Sequence, residues 1–200
     1  MFQLTPRLSQ QIDFITEVDK LKQILRQNSI IGGSRRENTA EHSWYISLIA
    51  LTFVEYAPQP IDLTHTLKML ILHDIVEIDA GDTFTFDVQA NQSKAERETL
   101  AAERIFGLLP EDQRDSYRAL WDEFEEGQTN EAKYANALDR FAPLIQNFQN
   151  QGGTWRKYQI TQAAVLKRMQ PIQTATPDLW PFVLQTIEQS IQAGYIVPSN

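Results

Sequence analysis

Apolar residues in this chain recur at steps of three and four, and nowhere do they alternate with polar ones over a length useful for a strand. Leu8, Ile12, Ile15, Val18, Leu21 and Leu25 set the pattern at the start. Such spacing puts side chains on one face of a 3.6-residue turn. The fold is therefore expected to be all-α, a bundle of seven to nine helices. At 200 residues it reads as one domain, 1–200, with no repeat or low-complexity tract.

Local punctuation places the helices. Ser9 to Arg26 reads as the first, broken by Asn28 to Gly33. Asn38 with Glu41 has the form of a capping box, opening a second helix that runs almost wholly apolar to Tyr56 and so belongs at the centre. Pro58 and Pro60 end it, and Asp62 caps a third through Leu67, Leu70 and Ile71 to about Ile78. Asp79 to Asn91 is expected to be a loop, and its Phe84 and Phe86 suit a site better than a bare connector.

Further on, Ser93 to Glu96 repeats the capping-box pattern before a helix to Phe106, and another helix spans about Glu111 to Glu126. Thr129 caps one carrying Tyr134, Leu138 and Phe141, in which Pro143 has no N–H for the Asp139 carbonyl and is expected to kink the helix. A Thr176–Pro177 start opens the last, ending near Gly194. Its Trp180, Phe182, Val183 and Ile187 suit either a core seal or the face of a homodimer.

Charge narrows the partners. With 18 Lys+Arg against 26 Asp+Glu the net charge is −8, which disfavours nucleic-acid polymers and anionic membranes. The most apolar stretch, Ile46 to Val54, is far short of a span, and Met1 to Gln11 lack a secretory pattern, so a cytoplasmic address is expected. Without cysteine there is no disulfide, thiolate metal site or Cys nucleophile. Any metal must be held by His, Asp or Glu.

All three histidines fall within the first 73 residues, two of them on the most apolar helices. His42 lies one turn into the second helix, and His73 sits beside Asp74 near the end of the third. An aspartate buried beside an imidazole is costly unless a cation compensates, and a divalent metal supplies that compensation. Asp139, on an otherwise apolar helical face, is either a further ligand or a partner for Arg140 or Arg36. Two imidazoles with two carboxylates suit manganese, cobalt, magnesium, iron, nickel or zinc, one ion per chain. Such an ion lowers the pKa of a bound water toward about 7, which suits hydrolysis of a phosphate ester.

Other residues gather around this set. Glu77, four after His73, would point ~40° away on a continuous helix and hold or deprotonate the attacking water, or else be a solvated helix-end glutamate. Asp82 would protonate a departing oxygen or bond a substrate hydroxyl, or else simply form a turn after Gly81. Arg26, Arg35 and Arg36 would meet a phosphate, or merely offset Glu37 and Glu41. His65, ~80° off the face of His73 by the same step, is expected at the surface.

The sequence resembles the HD-domain metal-dependent phosphohydrolases, and within them most the 5'-deoxynucleotidase branch. The matching segments are Arg35-Arg36-Glu37-Asn38-Thr39-Ala40-Glu41-His42, Leu72-His73-Asp74-Ile75-Val76-Glu77, Gly81-Asp82 and Ala137-Leu138-Asp139-Arg140, in that order. The resemblance implies a helical fold with a metal-binding core over about 20–145, C-terminal helices over 154–195, and a divalent cation on His42, His73, Asp74 and Asp139. It implies removal of the 5'-phosphate from a nucleoside monophosphate, with Glu77 and Asp82 catalytic, Arg26 on the phosphate, and a possible homodimer. Two departures are visible: Gln27 and Asn28 stand where the branch has an aromatic residue after its arginine, and Thr83 to Asp87 replaces a proline-containing loop. Related readings are an HD-type phosphodiesterase, an alarmone-nucleotide hydrolase, or a non-catalytic nucleotide sensor. Glu77 is followed by Ile78, without the acidic pair of the alarmone enzymes, and no Gly-Tyr-Pro element of the cyclic-dinucleotide enzymes is present.

Overall fold

The computed structural model describes residues 4–199, and over them the chain is all-α apart from one two-stranded hairpin. Eight helices have ten residues or more: α1 (Pro6–Val18), α2 (Thr39–Thr52), α3 (Leu63–Leu72), α6 (Lys94–Phe106), α7 (Glu111–Glu126), α8 (Asn130–Gln149), α10 (Gln162–Ala175) and α11 (Trp180–Gln192). Short helices α4 (Glu77–Ala80), α5 (Val88–Asn91) and α9 (Gly153–Lys157) fill connections. None of these helices is long and apolar enough to cross a membrane.

Helix α8 organises the molecule, packing against α2, α3, α7 and α10. Tyr134, Leu138, Phe141 and Leu144 recur along it at steps of three and four and are buried, so the amphipathic pattern is spent on the core. The helix runs unbroken through Pro143. The Thr129 side chain accepts from the Ala132 N–H, and Asp62 caps α3 in the same way through the His65 N–H. At the start of α2, Asn38 accepts from the Glu41 N–H while the Glu41 carboxylate accepts from the Asn38 N–H, closing the capping box one turn before His42. Asn38→Ala is expected to destabilise the fold by about 1 kcal/mol. A lowered urea midpoint with unchanged slope is the readout, and an unmoved midpoint would show the cap to be idle.

Four local expectations are corrected. The first helix stops at Val18, a 3₁₀ turn covers Asp19–Gln23, and Leu25–Ser29 is a strand, β1, antiparallel to β2 (Arg36–Asn38). The apolar spacing ran on because the 3₁₀ turn still buries Leu21, whereas Leu25 is exposed. Strand pairing depends on a partner elsewhere in the chain, which local periodicity does not report. The third helix ends at Leu72 rather than Ile78. Ser93 stands at the N-cap of α6 but its side chain makes no capping bond. Finally α2 is not apolar-buried all round, since Trp44, Leu48 and Leu51 face outward. In α11, Val183 and Ile187 face the core while Phe182 is about half exposed.

Candidate metal centre

The interruption of α3 positions the His-Asp pair. His73 Nδ1 meets the Leu70 carbonyl at 2.9 Å, and Trp121 Nε1 of α7 donates to the His73 carbonyl at 3.1 Å. Both carbonyls are thereby engaged by side chains. The following backbone bonds tighten to the i−3 pattern, with the N–H of Ile75 donating to Leu72, that of Glu77 to Asp74 and that of Ile78 to Ile75. Gly81 then leaves the short α4 with φ +73° and ψ 151°, a conformation only glycine adopts readily, and turns the chain so that Asp82 faces Arg26. Glu77 is thus presented from a new short helix rather than from a continuing one, and it is buried.

His42 from α2, the His73–Asp74 pair and Asp139 from α8 converge. One ligand atom each from His42, His73 and Asp139 lies within 4.8 Å of the others. His42 Nε2 is 3.0 Å from Asp139 Oδ1 and 3.9 Å from Asp74 Oδ2, while His73 Nε2 is 3.0 Å from Asp74 Oδ2 and 3.9 Å from Asp139 Oδ1. Neighbouring ligands held ~2.1 Å from one ion at right angles are about 3 Å apart, so these spacings suit a shared cation.

Donor chemistry supplies an independent test of that fit. With its proton on Nδ1 toward the Leu70 carbonyl, His73 offers a lone pair at Nε2. That nitrogen is buried and makes no hydrogen bond, and the nearby Asp74 oxygen offers only lone pairs of its own. Lone pairs facing one another call for a cation between them.

The hairpin completes the surround. Its two strands bring in Arg26 and Glu37, and neither role is readable from helical periodicity. Arg26 Nη1 donates to Asp74 Oδ2 at 2.9 Å and lies 3.8 Å from Asp82 Oδ1. Buried Glu37 accepts from Gln146 at 2.6 Å and places its other oxygen 3.6 Å from His42 Nδ1 and 3.7 Å from Arg26 Nε. At those separations neither contact is a hydrogen bond, so His42 Nδ1, Arg26 Nε and this Glu37 oxygen are buried side by side without hydrogen-bond partners.

Electrostatics divides the carboxylates into two kinds. Burial would raise Asp74 and Asp139, but it is outweighed by positive charge, so both stay below the usual carboxylate range. That charge is of His73, Arg26 and His42 at the first and of His42, Arg168 and His73 at the second when the imidazoles are protonated; a bound cation would take the place of those imidazole protons. Burial, reinforced by the charge of Asp74, lifts Glu77 well above that range, and burial also raises Asp82 against the pull of Arg26. Two groups are thereby fitted to stay ionised and two to carry protons.

A cavity of about 60 Å³ opens beside Arg26 and Asp82, bordered by Phe84, Trp155, Arg140 and Arg168. Phe84 packs on Phe86 and on Tyr158, with ring centroids 5.5 and 4.7 Å apart. Of the three expected phosphate arginines, only Arg26 reaches this cavity. Arg35 forms a two-pronged ion pair with Glu41 at the surface, at 2.6 and 2.8 Å, and Arg36 spends its guanidinium on the Leu25 and Arg26 carbonyls across the hairpin. His65 pairs with Glu123 at 2.7 Å, away from the cluster. Arg168 of α10, unmarked in the sequence, lies 3.4 Å from Asp139, and burial together with Arg140 pulls its pKa down to about 10. No local pattern announces Arg168, because only the packing of α10 on α8 brings it near Asp139.

Comparison with known proteins agrees with this geometry. A family model described as an HD domain matches residues 18–180. A crystal structure described as a predicted metal-dependent phosphohydrolase, from Magnetospirillum magnetotacticum MS-1, superposes with a TM-score of 0.92 at 45% identity over 96% of both chains. Human 5'-deoxynucleotidase HDDC2 is 26% identical over 136 residues, 68% of this chain and 65% of that protein, so the match spans just under two thirds of that relative's length. An HD-domain phosphohydrolase from Listeria innocua, 18% identical with a TM-score of 0.63 over 89% of this chain and 92% of its own, shares the fold.

Proposed function

The chain belongs to the HD-domain family, and on that premise we propose that it is a divalent-metal-dependent phosphomonoesterase acting on nucleoside 5'-monophosphates. The observation that carries the proposal is the convergence of His42, His73 and Asp139 from three distant segments, their ligand atoms within 4.8 Å of one another, with Asp74 Oδ2 3.0 Å from His73 Nε2, beside an arginine-bordered cavity. His42, His73, Asp74 and Asp139 would hold the cation, which when bound polarises a phosphoryl oxygen and makes a water acidic enough to attack at neutral pH.

The remaining residues work around that centre. Arg26 turns Nη1 and Nε toward Asp74 and Glu37, which leaves its Nη2 edge for a phosphate oxygen. Glu77 accepts a proton from the attacking water. Asp82, kept protonated more readily by burial, gives one to the departing ester oxygen. The presence of both proton-handling carboxylates beside the cluster supports turnover over mere sensing.

Incubation with nucleoside 5'-monophosphates and simpler phosphate monoesters, with manganese, cobalt and magnesium supplied in turn, tests the proposal. Inorganic phosphate is expected from at least the nucleotide esters. Absence of release from every monoester with every ion would refute it.

A further inference from the structure

The small cavity beside Arg26 has a larger neighbour that the removal of one phosphate does not use. Its volume is about 550 Å³, within the range of small-molecule sites. Thr85, Phe86, Arg140 and Arg168 border both spaces, so the two share a wall. At about 60 Å³ against about 550 Å³, the first space is much the smaller, so a phosphoryl group seated there beside Arg26 leaves the bulk of a nucleotide for the larger one. The rest of a substrate must continue past that wall.

The lining of the larger cavity is out of keeping with the chain around it. Arg140, Lys167 and Arg168 all border it and no carboxylate does, in a protein of net charge −8. Two of these cations have no acidic partner among the described residues. Arg140 donates to the carbonyl and side chain of Asn136, a neutral partner. Lys167 is exposed and forms no ion pair among the described residues. Arg168 reaches only Asp139, at 3.4 Å, on the side of the cluster. Three cations gathered around one concave space repel one another unless an anion enters, and guanidinium groups bind phosphate in a forked geometry.

Resting on the phosphomonoesterase reading of the first cavity, we infer that the second is a substrate subsite for another anionic group. The substrates are then phosphate esters, nucleotides among them, that carry a further phosphate besides the one removed. Arg140 and Arg168 stand at the passage between the spaces, and Lys167 meets the distal phosphate at the outer rim.

The test compares adenosine 5'-monophosphate with adenosine 3',5'-bisphosphate. Calorimetric titration uses the metal-loaded Glu77→Gln protein, in which the nucleotides survive, with and without Lys167→Ala. The bisphosphate is expected to bind about tenfold more tightly, the effect of one charge-assisted contact. Lys167→Ala should remove that preference while leaving the monophosphate affinity, and its wild-type turnover, unchanged. Equal binding of the two nucleotides, binding of neither, or a preference that survives both Lys167→Ala and Lys167→Glu would overturn the inference. So would activation of monophosphate turnover by inorganic phosphate that is lost in Lys167→Ala, since the anion would then be a separate ion. Loss of the hydrolase reading shows differently: wild-type protein releases no phosphate from either nucleotide, while the Lys167-dependent preference in the titration persists.

Discussion

Asp139→Asn protein is expected to fold and yet take up no stoichiometric divalent ion, where the wild type takes up roughly one per chain. Asparagine keeps the shape, with its one oxygen for Arg168 and its amide N–H₂ donating toward His42 Nε2, but it withdraws the negative charge that complements a cation. Elemental analysis after reloading with manganese or cobalt is the direct readout. Thermal melting supplies a second, because an ion at about 100 times its dissociation constant adds ~2.7 kcal/mol to the native state. For a domain of this size that corresponds to a rise in Tm of about 5–10 °C in the wild type. The variant should show no such rise. Its activity should fall by more than the ~10–100-fold typical of changes behind a metal ligand. Stoichiometric metal in Asp139→Asn, with a normal melting shift, would remove Asp139 from the ligand set.

Why Asp139 can be picked out of the sequence at all, when Arg168 cannot, follows from what each residue contradicts. A carboxylate between Leu138 and Phe141 breaks an apolar face that helical spacing makes visible, as do His42 and His73 on their own helices. The Asn38, Asp62 and Thr129 caps were legible for the same local reason, since each closes a bond within three residues. What escaped depends on distant partners. The hairpin is held by pairing of Leu25–Ser29 with Arg36–Asn38, the end of α3 by Trp121 from another helix, and Arg168 by the packing of α10 on α8. Ser93 shows the converse error. It has the residue pattern of a capping box, yet its backbone sits at φ −106°, ψ 5°, outside the extended conformation in which an N-cap side chain turns back onto the helix.

Glu77→Gln is expected to lower kcat about 10²–10⁴-fold, the usual loss on removing a general base or acid, while metal content and the metal-induced melting shift stay as in the wild type. The substitution is nearly isosteric. Thr39 Oγ1, which donates to Glu77 Oε2 at 2.9 Å, can still donate to the amide oxygen, so the buried site keeps its shape. What disappears is the capacity to accept a proton. The sign of the pH effect follows. A base works only when ionised, so wild-type activity climbs as pH rises through the pKa of Glu77. Burial and the neighbouring charge of Asp74 place that group above the ordinary glutamate range. In Glu77→Gln the acidic limb should vanish and the residual rate be flat across the same interval. A variant that keeps its kcat, or keeps the acidic limb, shows that another group takes the proton. A variant that loses the metal along with the rate assigns Glu77 to holding the site together rather than to moving protons within it.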